Sequence, residues 1–192
     1  MATRKNIEET HGLFYVTFTC YQWLSLFQIT NSYDLVYDWF DVLISKGHQI
    51  AGYVIMPNHV HCLIGLNNSN QSINTHVGNG KRFMAYELIK RLHDGHHDDI
   101  LHFLTKRLTE KELSKGQNHR AFESSSDIKL CDSIWFIEQK LDYMHRNPCS
   151  KKWNLVQNPI DYRHSSMRFY YDYGRPGLIS KLTPYTALFE DK

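Results

Sequence analysis

His59 and His61 stand one residue apart in the run His59-Val60-His61-Cys62-Leu63-Ile64-Gly65-Leu66. Side chains alternate along a strand, so both imidazoles leave one face with Cα atoms roughly 6.5–7 Å apart, close enough to converge on one cation. Val60, Cys62, Ile64 and Leu66 leave the other face and form an apolar surface suited to a core. A second group lies far along the chain, in Lys140-Leu141-Asp142-Tyr143-Met144-His145-Arg146-Asn147-Pro148. Tyr143 and Asn147 are four apart and would share one face of a helix, with Lys140 adjoining. A hard divalent cation, Mg²⁺ or Mn²⁺, accepts imidazole and an amide oxygen and keeps positions open for a phosphate. Beside it, a phenol can act as a covalent nucleophile on a phosphodiester. Each piece has a plain structural alternative: two surface histidines on an edge strand, a tyrosine at the core margin, an asparagine capping a helix end.

The elements that must position these residues follow from pattern. Residues 13–21 are β-branched and aromatic and read as a strand. Apolar positions at helical spacing (Leu35, Val36, Trp39, Phe40, Leu43, Ile44) predict a helix over 32–46. Strands are expected at 50–56 and 59–66, antiparallel and joined at Pro57-Asn58. Residues 67–80 read as a loop or helix entry, and Ala85, Leu88, Ile89 and Leu92 predict a helix over 81–93. Residues 94–118 read as an insertion, and 119–123 as a short strand. A helix over 133–147, with Ile134, Ile137, Leu141 and Met144 as its buried stripe, stops before Pro148. A polar helix over 162–171, a turn at 174–177 and a strand-like piece at 185–189 complete the chain. The order predicts an α+β sandwich of ferredoxin-like type, an antiparallel sheet with helices packed on one face. One domain is expected over 1–192, with a C-terminal tail from about residue 174.

Composition narrows the class. With 42% hydrophobic and 22% charged residues the chain is not broadly disordered, and no apolar run reaches membrane-span length. The first ten residues carry no apolar stretch of secretory type, and four scattered cysteines argue against a disulfide framework, so a reducing cytoplasm is expected. A net charge of +2 does not announce nucleic-acid binding. Charge is nevertheless uneven: residues 140–175 hold seven Lys/Arg against three Asp, interleaved with Trp153, Tyr162, Phe169, Tyr170, Tyr171 and Tyr173. Cations that track phosphates and rings that stack on bases suit single-stranded nucleic acid, which makes Lys140, Arg146, Lys151, Lys152, Arg163 and Arg168 candidate DNA contacts. The alternative is a solvated helix whose aromatics complete the core. Lys81, Arg82, Lys90 and Arg91 are a second candidate phosphate contact, for which a solvated face is the slightly preferred reading.

Three segments also carry a family likeness. Residues 53–66, Y-V-I-M-P-N-H-V-H-C-L-I-G-L, resemble the His-hydrophobic-His (HUH) strand of single-tyrosine transposases. Residues 143–148, Y-M-H-R-N-P, resemble the signature of REP-associated tyrosine transposases, and residues 161–166, D-Y-R-H-S-S, the segment that follows it there. The resemblance spans roughly residues 13–171 and omits 94–118 and the tail. It implies a nuclease and strand transferase for single-stranded or hairpin DNA. In that reading His59, His61 and Asn147 bind Mg²⁺ or Mn²⁺, and Tyr143 attacks the scissile phosphate to give a 5′-phosphotyrosine and a free 3′-hydroxyl. A non-catalytic single-stranded nucleic-acid binder and a metal-dependent hydrolase using activated water are the competing classes. Monomer and homodimer are both open.

Overall fold

The protein is described by a computed structural model that covers residues 7, 9–106, 108–114, 116–171 and 181–188. Strands β1 (Gly12–Thr19), β2 (Gln49–Ile55), β3 (His59–Leu66) and β4 (Asp127–Leu130) form one antiparallel sheet in the order β2-β3-β1-β4. Helices α1 (Leu26–Ile29) and α2 (Asp34–Ser45) lie between β1 and β2. Between β3 and β4 come α3 (Ile73–Asp94), α4 (Asp98–Lys106) and α5 (Glu110–Leu113). After the sheet follow α6 (Ile134–Arg146) and the short α7 (Met167–Tyr171). The expected α+β antiparallel sheet is the observed one, but helices pack on both of its faces rather than on one, because both faces carry apolar side chains.

Alternation along the strands divides the sheet into two buried faces. Phe14, Val16 and Phe18 of β1 and Val60, Cys62, Ile64 and Leu66 of β3 face Val36, Phe40 and Leu43 of α2 and Val77, Met84 and Leu88 of α3. On the opposite face Leu13, Tyr15, Val54 and Leu63 pack against Ile137, Leu141 and Met144 of α6. The sheet is thus covered on both sides, and the helix that carries Tyr143 sits apart from the other large helices.

Local chemistry explains where the helices begin and end. Ser133 caps α6 by accepting from the Phe136 amide, and Ser72 caps α3 by accepting from Thr75. Helix α3 starts at Ile73, well before the expected residue 81. Gly78, Asn79 and Gly80 disguise this start because glycine costs ~1 kcal/mol in a helix interior. Tertiary packing overrides that cost: Ile73, Val77, Gly80, Met84 and Leu88 are one buried stripe. A Cβ at residue 80 would sit 2.4 Å from Trp39 Nε1, so only glycine lets α2 approach there.

Further departures are local. The fourth strand is Asp127–Leu130, displaced from the expected 119–123, where Phe122 makes only an isolated bridge to Cys20. Three of its four residues are exposed, so hydrophobic pattern could not reveal it. The helix expected over 162–171 is confined to Met167–Tyr171, and the strand expected at 185–189 is a 3₁₀ turn at Tyr185–Ala187. The turn expected at 174–177 and Phe189 lie outside the described residues. Within 94–118, helix α4 inserts Leu101 and Leu104 into the larger core.

Leu104 is fully buried. Leu104→Ala should therefore destabilise the protein by about 2–4 kcal/mol in a urea titration. A loss below about 0.5 kcal/mol would show that α4 is peripheral to the core.

Candidate metal-and-tyrosine site

His59 and His61 are the first and third residues of β3, on the face toward α6, with ring centroids 4.8 Å apart. Both are almost fully buried, so each ring nitrogen needs a partner. On His59, Nδ1 meets Asn58 Oδ1 at 2.6 Å. On His61, Nδ1 lies 2.8 Å from both Tyr15 Oη and Thr17 Oγ1 of β1, where Thr17 is its register partner. A proton on each Nδ1 satisfies these oxygens and leaves each Nε2 as a bare lone pair.

The two Nε2 atoms meet at Asn147, directly after α6. Its Nδ2 lies 3.1 Å from His61 Nε2 and 3.4 Å from His59 Nε2. The amide NH₂ group donates to both lone pairs, as a cation would attract them. A half turn of the amide presents Oδ1 to the same point, and the two orientations are nearly isosteric. Two neutral imidazoles and one amide oxygen then form a donor set that fits a divalent cation. It holds no carboxylate, and among the described residues no cluster of three or more His, Cys, Asp or Glu occurs. Imidazole donors suit Mn²⁺ better than Mg²⁺, which prefers oxygen.

Tyr143 stands one helical turn before Asn147, its ring 5.4 Å from that of His61 and 55% exposed. It is offset from the buried stripe of α6, so its hydroxyl can reach the solvent side. With Thr17, Trp23, His59, His61, Arg146, Asn147, Lys152 and Trp153 it lines a cleft of about 460 Å³. A larger cavity of about 590 Å³ between α2 and α3 is lined by Arg82 of the second basic group but by none of the candidate metal or nucleophile residues.

Of the candidate DNA contacts, Arg146 and Lys152 line this cleft, whereas Lys151, Arg163 and Arg168 do not. Lys152 Nζ sits 4.4 Å from the Trp23 ring centroid, and Arg146 pairs with Asp142 at 2.6 Å on the solvent side. Lys140 Nζ lies over the Tyr15 ring, behind His61. Arg168 donates to the Ile160 carbonyl. Two aromatics expected to stack on bases are structural instead. Tyr162 is buried and donates to the Ile55 carbonyl, and Tyr170 donates to that of Ala51. In the second basic group, Arg91 binds Asp34 and Glu87, and Lys81 donates to Glu123 and Ser126.

Sequence spacing could not single out Asn58, Tyr15 and Thr17, the residues behind the histidines. Asn58 reads as a turn residue, yet its side chain also binds the Trp23 carbonyl through Nδ2, 2.7 Å away. Tyr15 and Thr17 show only the i, i+2 spacing of a strand face.

Burial holds the imidazoles neutral. Desolvation, with Lys152 nearby, lowers His59 to about 4. Desolvation, with His59 and Lys140 nearby, lowers His61 to about 3. The buried His145 and the half-buried His164, which stacks on Tyr33, fall to about 4, chiefly by burial. In the unfolded chain such imidazoles protonate near pH 6.5. Below that pH the unfolded state binds protons that the folded state excludes, so stability is lost as pH falls from about 6.5 toward 4. The urea midpoint should therefore be lower at pH 5 than at pH 7.5. An unchanged or higher midpoint at pH 5 would mean these rings are not buried as neutral groups.

No protein-family model and no curated protein matches this chain. Among solved structures, a REP-associated tyrosine transposase bound to a REP hairpin superposes with a TM-score of 0.62 at 14% identity, over 100% of this chain and 99% of that one. A candidate transposase from Deinococcus radiodurans R1 gives a TM-score of 0.41 at 17% identity, covering 76% of this chain and 97% of that one, a likeness too slight to bear on the fold. The chain shares the fold of that REP-associated tyrosine transposase.

Proposed function

We propose that this chain is a metal-dependent nuclease and strand transferase for single-stranded or hairpin DNA, acting through a covalent 5′-phosphotyrosine at Tyr143. One observation carries the proposal. The Nε2 edges of His59 and His61 converge on the Asn147 amide, in a cleft that also exposes the Tyr143 ring. A non-catalytic binder has no use for two desolvated lone pairs beside a phenol. The fold is shared with a transposase whose structure holds a REP hairpin, and this favours hairpin DNA as the substrate class.

His59, His61 and Asn147 would hold the cation, which when bound would supply positive charge against the phosphate oxygens. The residues of the chain do the rest. Tyr143 loses its phenolic proton as its oxygen bonds to phosphorus, and the bond from phosphorus to the 3′ oxygen breaks. The 3′ oxygen takes up a proton and leaves as a hydroxyl. Attack by a 3′-hydroxyl on the phosphotyrosine runs the same exchange backwards, frees Tyr143 and rejoins DNA. The ester bond is conserved, so no nucleotide cofactor is needed. Lys152 and Arg146 offer charge to neighbouring phosphates. The Arg146–Asp142 pair is exposed, is worth about 0–1 kcal/mol, and so exchanges readily for a phosphate. The four unpaired cysteines and a DNA substrate suit the cytoplasm as working compartment.

Hairpin oligonucleotides with randomised single-stranded flanks, incubated with Mn²⁺, should yield a denaturant-resistant protein–DNA adduct. Tyr143→Phe should abolish the adduct while oligonucleotide affinity stays within about twofold, because a phenyl ring keeps the packing. The double variant His59→Ala/His61→Ala should reduce adduct formation by about 100-fold or more. An adduct on Tyr143→Phe, or DNA mapped to another tyrosine, would overturn the assignment. Cleavage without any adduct would favour a hydrolase using water.

A further inference from the structure

Trp23 is 54% exposed at the cleft, and the backbone that presents it is unusual. Gln22 and Trp23 are both left-handed, with φ of 51° and 59°. Two successive non-glycine residues seldom adopt this conformation, and such outliers gather at ligand-binding sites. Three bonds hold them there: the Gln22 amide donates to Glu123 Oε1, the Trp23 amide to the Cys20 carbonyl, and Asn58 Nδ2 to the Trp23 carbonyl. Asn58 also carries the Nδ1 contact of His59, so one side chain fixes both the imidazole and the indole. The Trp23 ring lies 5.7 Å from the His59 ring, and Lys152 Nζ lies over it at 4.4 Å.

Tyr143 and Trp23 flank the histidine pair from different ends. Tyr143 adjoins His61, Trp23 adjoins His59, and the two imidazoles lie between. In-line displacement puts the leaving oxygen on the side of phosphorus away from the attacking phenol. For a phosphate lying over the histidine pair, that side is the His59 side. From this geometry we infer that Trp23 is the stacking platform for the base of the nucleotide that carries the leaving 3′ oxygen. Lys152 binds the phosphate next to that base. The inference rests on the function proposed above and adds a substrate contact to it. An indole stacks on any base, so Trp23 selects an unpaired base at this position over a paired one. After cleavage the same contact keeps the 3′-hydroxyl near the phosphotyrosine for rejoining.

The test pairs protein variants with abasic substrates, using an oligonucleotide recovered as cleaved from the randomised hairpin pool. Single-turnover adduct formation is followed with an abasic residue either just before or just after the scissile phosphate. Trp23→Ala should slow the intact substrate about tenfold, and an abasic residue before the phosphate should slow the wild type by a similar factor. The two together should cost little more than either alone, and Trp23→Phe should recover most of the rate. The abasic residue after the phosphate should combine multiplicatively with Trp23→Ala. A multiplicative loss at the preceding position, or coupling at the following one, would overturn the inference, as would an unchanged rate for Trp23→Ala. Each of these leaves wild-type cleavage through Tyr143 intact and so leaves the function standing. Absence of any wild-type adduct would instead remove both. Thermal melting of Trp23→Ala and Trp23→Phe separates folding from stacking, since an exposed ring contributes little to the core.

Discussion

The Ser166 hydroxyl holds the candidate site in place from behind. It is fully buried, accepts from the Tyr53 amide at 2.9 Å, lies 3.2 Å from the Tyr53 carbonyl and 2.8 Å from His145 Nε2. One consistent pattern satisfies every group: the Tyr53 amide and His145 Nε2–H donate to Ser166, which donates to the Tyr53 carbonyl. Strand β2, helix α6 and the chain after it are thereby joined at one atom. Two backbone bonds from the same strand reinforce the junction, Ile55 to His164 and Ser166 to Tyr53. Gly52 allows the approach, since a Cβ there would come within 2.7 Å of Leu141. The depth of α6 over the sheet follows, and with it the 3.1 and 3.4 Å contacts of Asn147 with the histidines. A shift of α6 by about 1 Å would break those contacts, because hydrogen-bond geometry tolerates only a few tenths of an ångström.

Electrostatics follows from that packing. Covering His59 and His61 with a helix removes water from both rings, which keeps them uncharged, while Asn58 Oδ1 engages Nδ1 of His59 and the Tyr15 and Thr17 hydroxyls engage Nδ1 of His61. A neutral imidazole with one engaged nitrogen is the form that ligates a cation. Desolvation also raises Tyr15, which therefore stays a protonated partner behind His61 rather than a second nucleophile. Tyr143 differs in being open to solvent and to substrate. One helix thus buries its Ile137-Leu141-Met144 stripe while leaving its reactive residue free.

Much of this could be read from the sequence because strong periodicity coincided with tertiary burial. Strand β3 spans the expected residues, His59 to Leu66, since its alternation is backed by burial on both faces. Helix α6 was legible for the same reason, with the Ser133 cap at one end and Pro148 at the other. Spacing alone placed Tyr143 and Asn147 on one face and both histidines on another, but could not show that the faces meet. Signals failed where tertiary contacts set the structure. The glycines of α3 hide a helix that Trp39 requires, and exposed β4 carries no pattern. Tyr162 and Tyr170 look like stacking residues in a basic segment, yet their hydroxyls bind the backbone of β2. Of the basic residues over 140–175, Arg146 and Lys152 line the cleft, whereas Lys151, Arg163 and Arg168 lie outside it.

The sharpest measurement is the anomalous difference map of crystals equilibrated with Mn²⁺. One peak should lie about 2.0–2.3 Å from His59 Nε2, His61 Nε2 and an Asn147 Oδ1 turned toward it, with Tyr143 at its open side. A peak bound elsewhere, or none at a Mn²⁺ concentration that supports cleavage, would contradict the convergence of these three side chains on a cation.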